Sequence, residues 1–383
     1  MNKIIGRLAA AAMLTTMMSG MALADITIGV TVSSTGSGAA LGIPLKNSVE
    51  LWPSEIDGEK LNVIVLDDAG DPSIATTNAR RFANDDKVDV IVGSALTPGS
   101  IAISNVANEV GIPHLACSPI PPNVAATKYT FVMPQDAGLI ARNLFKKMQA
   151  DGVKKVGYIG FSDSYGDLWV NQFKAIGAEY GLELIAEERY ARPDTSVSGQ
   201  VLKLVAAQPD AIFVGASGTG AALPQLALRE RGFEGTIYQT HGAVTFDFLR
   251  IAGEAAKNTV FASGPVMVAE LQDDSSETKE EGVAYVTAYE AKFGAGTRTQ
   301  FGAHVHDAMA VLKRAIPIAK QKAQPGTQEF RDALRDAIES GGPFPASQGV
   351  FEFSADNHFG LDDRAVVLLS ASPKNDGSFD LIK

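Results

Sequence analysis

From residue 25 onward, short β-branched runs alternate with stretches of helical period, and that alternation lays out the architecture. Residues 26–30, 61–66, 88–92 and 114–117 read as buried strands. Between the second and third, residues 73–84 predict a helix with Asp71 as its N-cap and Pro72 at its first position. Between the third and fourth, Thr97 predicts the cap of a helix that opens at Pro98, runs to Glu109 and stops at Gly111 and Pro113. The rhythm then restarts. Strands at 153–161, 182–190, 211–214, 237–238 and 260–261 alternate with helices at 166–180, 197–207, 221–231 and near 246–252. From about residue 275 come three long helical stretches, 277–293, 303–322 and 328–340. A Gly341-Gly342-Pro343 turn leads to short strands at 349–353, 366–369 and 379–382. Strands that alternate with helices make parallel sheets covered on both faces. Two such series predict an α/β protein of two doubly wound parallel-sheet lobes joined by a hinge.

The first 24 residues follow another pattern. Lys3 and Arg7 precede an apolar run at 8–14, no charge follows up to Asp25, and Ala22-Leu23-Ala24 offers the small residues a signal peptidase reads. This predicts a secretory signal cleaved before Asp25. A membrane anchor fits less well, because Thr15, Thr16, Ser19 and Gly20 interrupt the run. No Cys follows the cleavage site to carry a lipid. The chain holds 33 basic and 44 acidic residues, a net charge of −11; without Lys3 and Arg7 it is −13. Such a surface argues against nucleic acid or anionic lipid as partner. No apolar window long enough to span a bilayer follows Asp25. The single cysteine, Cys117, ends an apolar run and reads as a buried structural thiol, so the fold rests on its core without an internal disulfide.

Ligands of open α/β sheets bind beyond the carboxyl ends of the strands. Here those places carry polar, glycine-rich loops at 33–38, 93–98, 118–122 and 217–220. Helix capping explains any one of them; four at one edge point to a ligand cleft. Gly36, Gly38 and Gly42 miss the dinucleotide spacing, because Leu41 stands where the third glycine belongs. His304 and His306 are two apart, which on a helix points them roughly opposite ways and prevents a shared metal. HExxH, CxxC and GxSxG are all missing, and residues 215–219 fail the last at their final position. No catalytic residue, metal or cofactor is called for. Tyr165, in the segment 161–167, reads either as core packing or as a side chain that closes over a ligand.

Taken together, residues 36–42 with the helix after them, 92–94 with Thr97, 113–119, 163–167 and 301–308 resemble the periplasmic solute-binding proteins of the branched-chain amino acid type. The resemblance covers 25–383. It implies three crossings between lobes, with 25–135 plus 268–351 in lobe one and 136–267 plus 352–383 in lobe two. It also implies a ligand held between closing lobes. By position, Thr97 is the hydroxyl that holds the ligand carboxylate, and Ser94 and Ala95 share its loop. Ser118 and Ile120 belong to a second carboxylate-binding loop, Leu41 takes the place of an aromatic wall, and Tyr165 closes from lobe two, whose loop at Thr219 also reaches the ligand. Two departures stand out. Relatives place an acidic residue against the ligand ammonium where this chain has His241, and Pro121-Pro122 replaces hydrogen-bond donors. A buried ammonium without an anion is costly, whereas a histidine suits a ligand oxygen. Asp136 is the residue able to supply the anion from another direction. The resemblance therefore implies capture of a small organic acid, aromatic or keto acids leading and branched-chain or hydrophobic amino acids second. The partner is an inner-membrane ABC permease, and the protein is a periplasmic monomer free of the membrane. A ligand sensor is the rival from another class, and an exported oxidoreductase the remotest.

Overall fold

The computed structural model describes residues 25–372 and 378–382; the signal peptide expected at 1–24 lies outside them. The first lobe is built on β1 (Ile26–Val32), α1 (Ala39–Val49), β2 (Glu55–Ile56), β3 (Glu59–Asp67), α2 (Pro72–Asn84) and β4 (Val90–Gly93). It continues through α3 (Thr97–Val110), β5 (His114–Ala116), α4 (Pro122–Ala125) and β6 (Thr130–Val132). These strands form one sheet ordered β2-β3-β1-β4-β5-β6, parallel except for β2. Ile26, Ile28 and Val30 are fully buried, as helices on both faces of a parallel sheet require.

The second lobe repeats the plan. Its elements are α5 (Ala137–Ala150), β7 (Lys155–Phe161), α6 (Ser164–Ile176), β8 (Glu183–Tyr190) and α7 (Ser198–Ala206). Then come β9 (Ala211–Gly215), α8 (Ala222–Glu230), β10 (Thr236–Gln239), α9 (Phe246–Ala252) and β11 (Thr259–Ser263). After α10 (Lys279–Phe293), α11 (Gln300–Lys320), α12 (Gln328–Ser340) and the hairpin β12 (Phe344–Pro345) and β13 (Val350–Phe351), the chain returns. There β14 (Val367–Ala371) and β15 (Phe379–Leu381) complete a sheet ordered β15-β14-β11-β10-β9-β7-β8. Strand order reverses at β1 in one sheet and at β7 in the other, so the loops after β1, β4, β7 and β9 flank the two switch points.

The late helices divide their allegiance. Phe301, Leu312, Phe330 and Leu334 of α11 and α12 pack into the core of the first lobe. Tyr285, Val286 and Tyr289 of α10 pack into the second core, while the Tyr285 hydroxyl bonds Ser48 of α1 at 3.0 Å. Packing into the first core continues beyond residue 351, where the crossing is expected. Phe353, Leu361 and Ala365 belong to the first core, and the Phe353 ring meets Phe131 edge-on at 5.5 Å. By packing, the chain leaves the first lobe after Ala365. Gly42 shows why α1 can start so close to β1: a Cβ there would lie 2.1 Å from the Ser33 carbonyl oxygen.

Candidate functional site

The carboxyl edges of the two sheets face one another across a cleft. From the first lobe come Leu41, the loop Ala95, Leu96 and Thr97 after β4, the loop Cys117, Ser118 and Pro119 after β5, and Phe301 and His304 of α11. The second lobe supplies Tyr165 from α6, Arg192 after β8, Ser217 after β9, and His241 and Gly242 after β10. The lobes are closed: about 10 Å³ remains free between these side chains, room for one water. Gly242 is part of that closeness, since a Cβ there would lie 2.3 Å from the Tyr165 hydroxyl.

Of the nine residues expected from the sequence, Leu41, Ala95, Thr97, Ser118, Tyr165 and His241 line this cleft and three do not. Ser94 is fully buried behind it and donates to Asp68 at 2.6 Å. Ile120 turns away into a small apolar cluster with Ala116, Ala125 and Val132. Thr219 lies outside, on a groove at the mouth with Gly36, Asp194 and Leu223.

The two hydroxyls of the first lobe are engaged within the protein. Thr97 Oγ1 donates to the Pro119 carbonyl at 2.7 Å, and Ser118 Oγ donates to Ser100 Oγ at 2.8 Å. Thr97 is also not the helix cap: α3 begins at Thr97 itself, with Leu96 at the cap position and no side-chain cap bond. Its hydroxyl joins two loops instead of closing a helix end. The start of α3 still faces the cleft, although Leu96 N bonds Ser94 Oγ at 3.4 Å and Pro98 has no N–H.

The second lobe offers what the first does not. Asp163 caps α6, accepting from Tyr165 N and Gly166 N, and its other oxygen takes Arg192 Nε at 2.6 Å. Arg192 Nη1 donates to Ser217 Oγ at 3.2 Å, and the guanidinium lies 4.2 Å from the Phe161 ring centroid. Its Nη2 is buried and has no partner. Arg192 was not among the expected residues. Its place just beyond the carboxyl end of β8, next to the switch at β7, was the available signal.

His241 is fully buried and burial lowers its pKa to about 3, so its ring is neutral. Its Nδ1 has no partner. His304, also missed, is as buried and is lowered to about 3 by burial and by the nearby His241, opposed by a hydrogen bond to the Cys117 backbone. His306 faces elsewhere, 4.8 Å from the Tyr285 ring. Tyr165 is 4% exposed and its hydroxyl bonds Thr240 Oγ1 at 2.9 Å, so it is both packed and lining. Asp136 caps α5, accepting from Leu139 N, and does not line the cleft. Among the described residues no carboxylate does. Among the described residues no helix is long and apolar enough to cross a membrane.

A family model for periplasmic binding proteins matches residues 25–372. The chain belongs to that family. It is 25% identical over 341 residues, 86% of this chain and 87% of the relative, to the Leu/Ile/Val-binding protein BraC3 of Rhizobium johnstonii. A solved extracellular ligand-binding receptor from Rhodopseudomonas palustris HaA2 is 54% identical, covering 94% of this chain and all of that one, with a TM-score of 0.91. The fold is shared with an ABC transporter solute-binding protein of R. palustris in complex with benzoate (19% identity, 94% and 96% coverage, TM-score 0.78). The architecture is thus that of a type I periplasmic binding protein.

Proposed function

We propose that this family member is the binding component of an ABC importer and captures a small organic acid without an ammonium group, aromatic or keto acids ahead of amino acids. One observation carries the reading. Among the described residues the cleft is lined by a guanidinium with a buried, unpartnered Nη2 and by two neutral histidines, and by no carboxylate. A ligand carboxylate on Arg192 Nη2 would make a charge-assisted hydrogen bond, with the start of α3 available from the opposite lobe. A ligand ammonium would be buried without an anion, at a cost of several kcal/mol. The mature protein would act in the periplasm after cleavage before Asp25, as a monomer whose lobes open about crossings near residues 135, 264–268 and 365. The runner-up, a branched-chain amino acid binder, is favoured by the name of the R. johnstonii relative.

Calorimetry with phenylpyruvate against phenylalanine, and 2-oxoisocaproate against leucine, tests the reading. Each keto acid should bind at least about tenfold more tightly than its amino acid. Arg192→Met should lower acid affinity by about 2–3 kcal/mol. Tighter binding of leucine or phenylalanine would return the protein to the amino-acid class.

A further inference from the structure

We propose that the cleft reads a hydroxyl group on its acid ligand, held between His241 of the second lobe and His304 of the first. This rests on the organic-acid reading above and specifies which acids. Two nitrogens carry it: His241 Nδ1 is buried without a partner, and His304, whose one link is to the Cys117 backbone, keeps a second buried nitrogen open. Both rings are neutral. A neutral imidazole has one N–H donor and one acceptor lone pair, so with its N–H given to the Cys117 backbone His304 presents the acceptor. A carboxylate only accepts, and would set its lone pairs against that of the ring. A hydroxyl does both, donating to one nitrogen and accepting from the next.

Tyr165 neighbours both the pair and the anion site. The Tyr165 ring lies 5.9 Å from the Arg192 guanidinium and 6.4 Å from the His241 ring, and so stands near both. Rings surround the histidines as well, with Trp169 at 5.6 Å from His241 and Phe301 at 6.0 Å from His304. Walls of this kind suit a flat apolar body that bears a carboxylate at one end and a hydroxyl away from it. Sites built to bond a hydroxyl discriminate strongly against analogues that lack it, because the buried partners are then left unpaired.

The test uses the mature protein and calorimetry with phenylpyruvate and its 3- and 4-hydroxyphenyl derivatives, alongside benzoate and its 3- and 4-hydroxy derivatives. At least one hydroxy acid should bind tenfold or more tightly than its parent. His304→Phe should erase that gain, bringing each hydroxy acid to within about twofold of its own parent acid measured in the same variant, while His304→Gln, which keeps a donor and an acceptor, should retain part of it. If no hydroxy isomer gains more than about twofold in the unmodified protein, the inference falls even if a variant fails to fold. Should the parent acids still outbind phenylalanine, the organic-acid reading survives that failure; if phenylalanine outbinds all of them, both fall.

Discussion

Two buried polar clusters lie close together in the first lobe and at the cleft, and they differ in one respect. Around Asp68, 1% exposed, every donor has an acceptor: Ser33 and Ser94 each donate at 2.6 Å, Gly70 N at 2.9 Å and Thr31 at 3.3 Å. In the cleft, His241, His304 and Arg192 keep nitrogens that nothing satisfies. Native proteins leave few buried polar groups unpaired, so on the proposed reading the first cluster is scaffold and a ligand completes the second. The scaffold fixes the loops after β1 and β4 in place; the cleft inherits that rigidity and supplies the open bonds.

The largest expected effect comes from acid. Burial holds His114, His241, His304 and His306 at about 4, 3, 3 and 4, against 6.5 in an unfolded chain. As pH falls from 6.5 towards 4, the unfolded chain takes up four protons that the folded one refuses, and stability drops. Asp307 works the other way: burial raises it to about 7, so the folded form binds its proton first. The net uptake is about three protons, or at most about 4 kcal/mol per pH unit. Thermal melts between pH 7 and 4.5 check this. A melting temperature that holds steady across that range would mean the histidines are not buried as described. His304→Phe should flatten the slope by about one proton and Asp68→Ala should not.

Next in size, Asp68→Ala should cost about 3–5 kcal/mol of stability, because four donors lose one acceptor in a buried place. Urea unfolding reads it. Losing less than about 1 kcal/mol would erase the contrast between the two clusters. The smallest effect separates a scaffold hydroxyl from a ligand contact. Thr97→Val removes the bond to Pro119 and should lower stability by about 1 kcal/mol while affinity for phenylpyruvate changes by less than about threefold. A tenfold loss of affinity at unchanged stability would restore Thr97 as a ligand contact.

Periodicity made much of the fold legible, because amphipathic helices and buried strands write their burial into the sequence. Helices expected near 246–252 and at 328–340 coincide with α9 and α12. The start of α11 was placed three residues late, since its cap is Thr299, which accepts from Gly302 N and precedes the apolar stripe. Strand β6, only three residues long, left too little pattern to read. The cleft was legible as a set of loops, because glycine and hydroxyl residues mark strand ends. Which side chains matter within it was not. Whether Thr97 donates to a ligand or to Pro119, and whether Arg192 is free or fully paired, depends on neighbours distant in sequence. His304 was weighed only as a metal ligand, for which its spacing to His306 is wrong, although an imidazole can also serve as a plain hydrogen-bonding partner.

Arg192 has one further consequence, for the timing of capture. Its Nε is clamped by Asp163, Nη1 rests on Ser217, and Phe161 lies 4.2 Å from the guanidinium. An arginine on a solvent-exposed loop would lose about 2 kcal/mol of rotamer freedom on seizing an anion. Here that freedom is surrendered when the chain folds, so the side chain meets each arriving molecule already aimed. On the proposed reading, capture would then be limited by the swing of the lobes, with no wait for a side chain to find its pose.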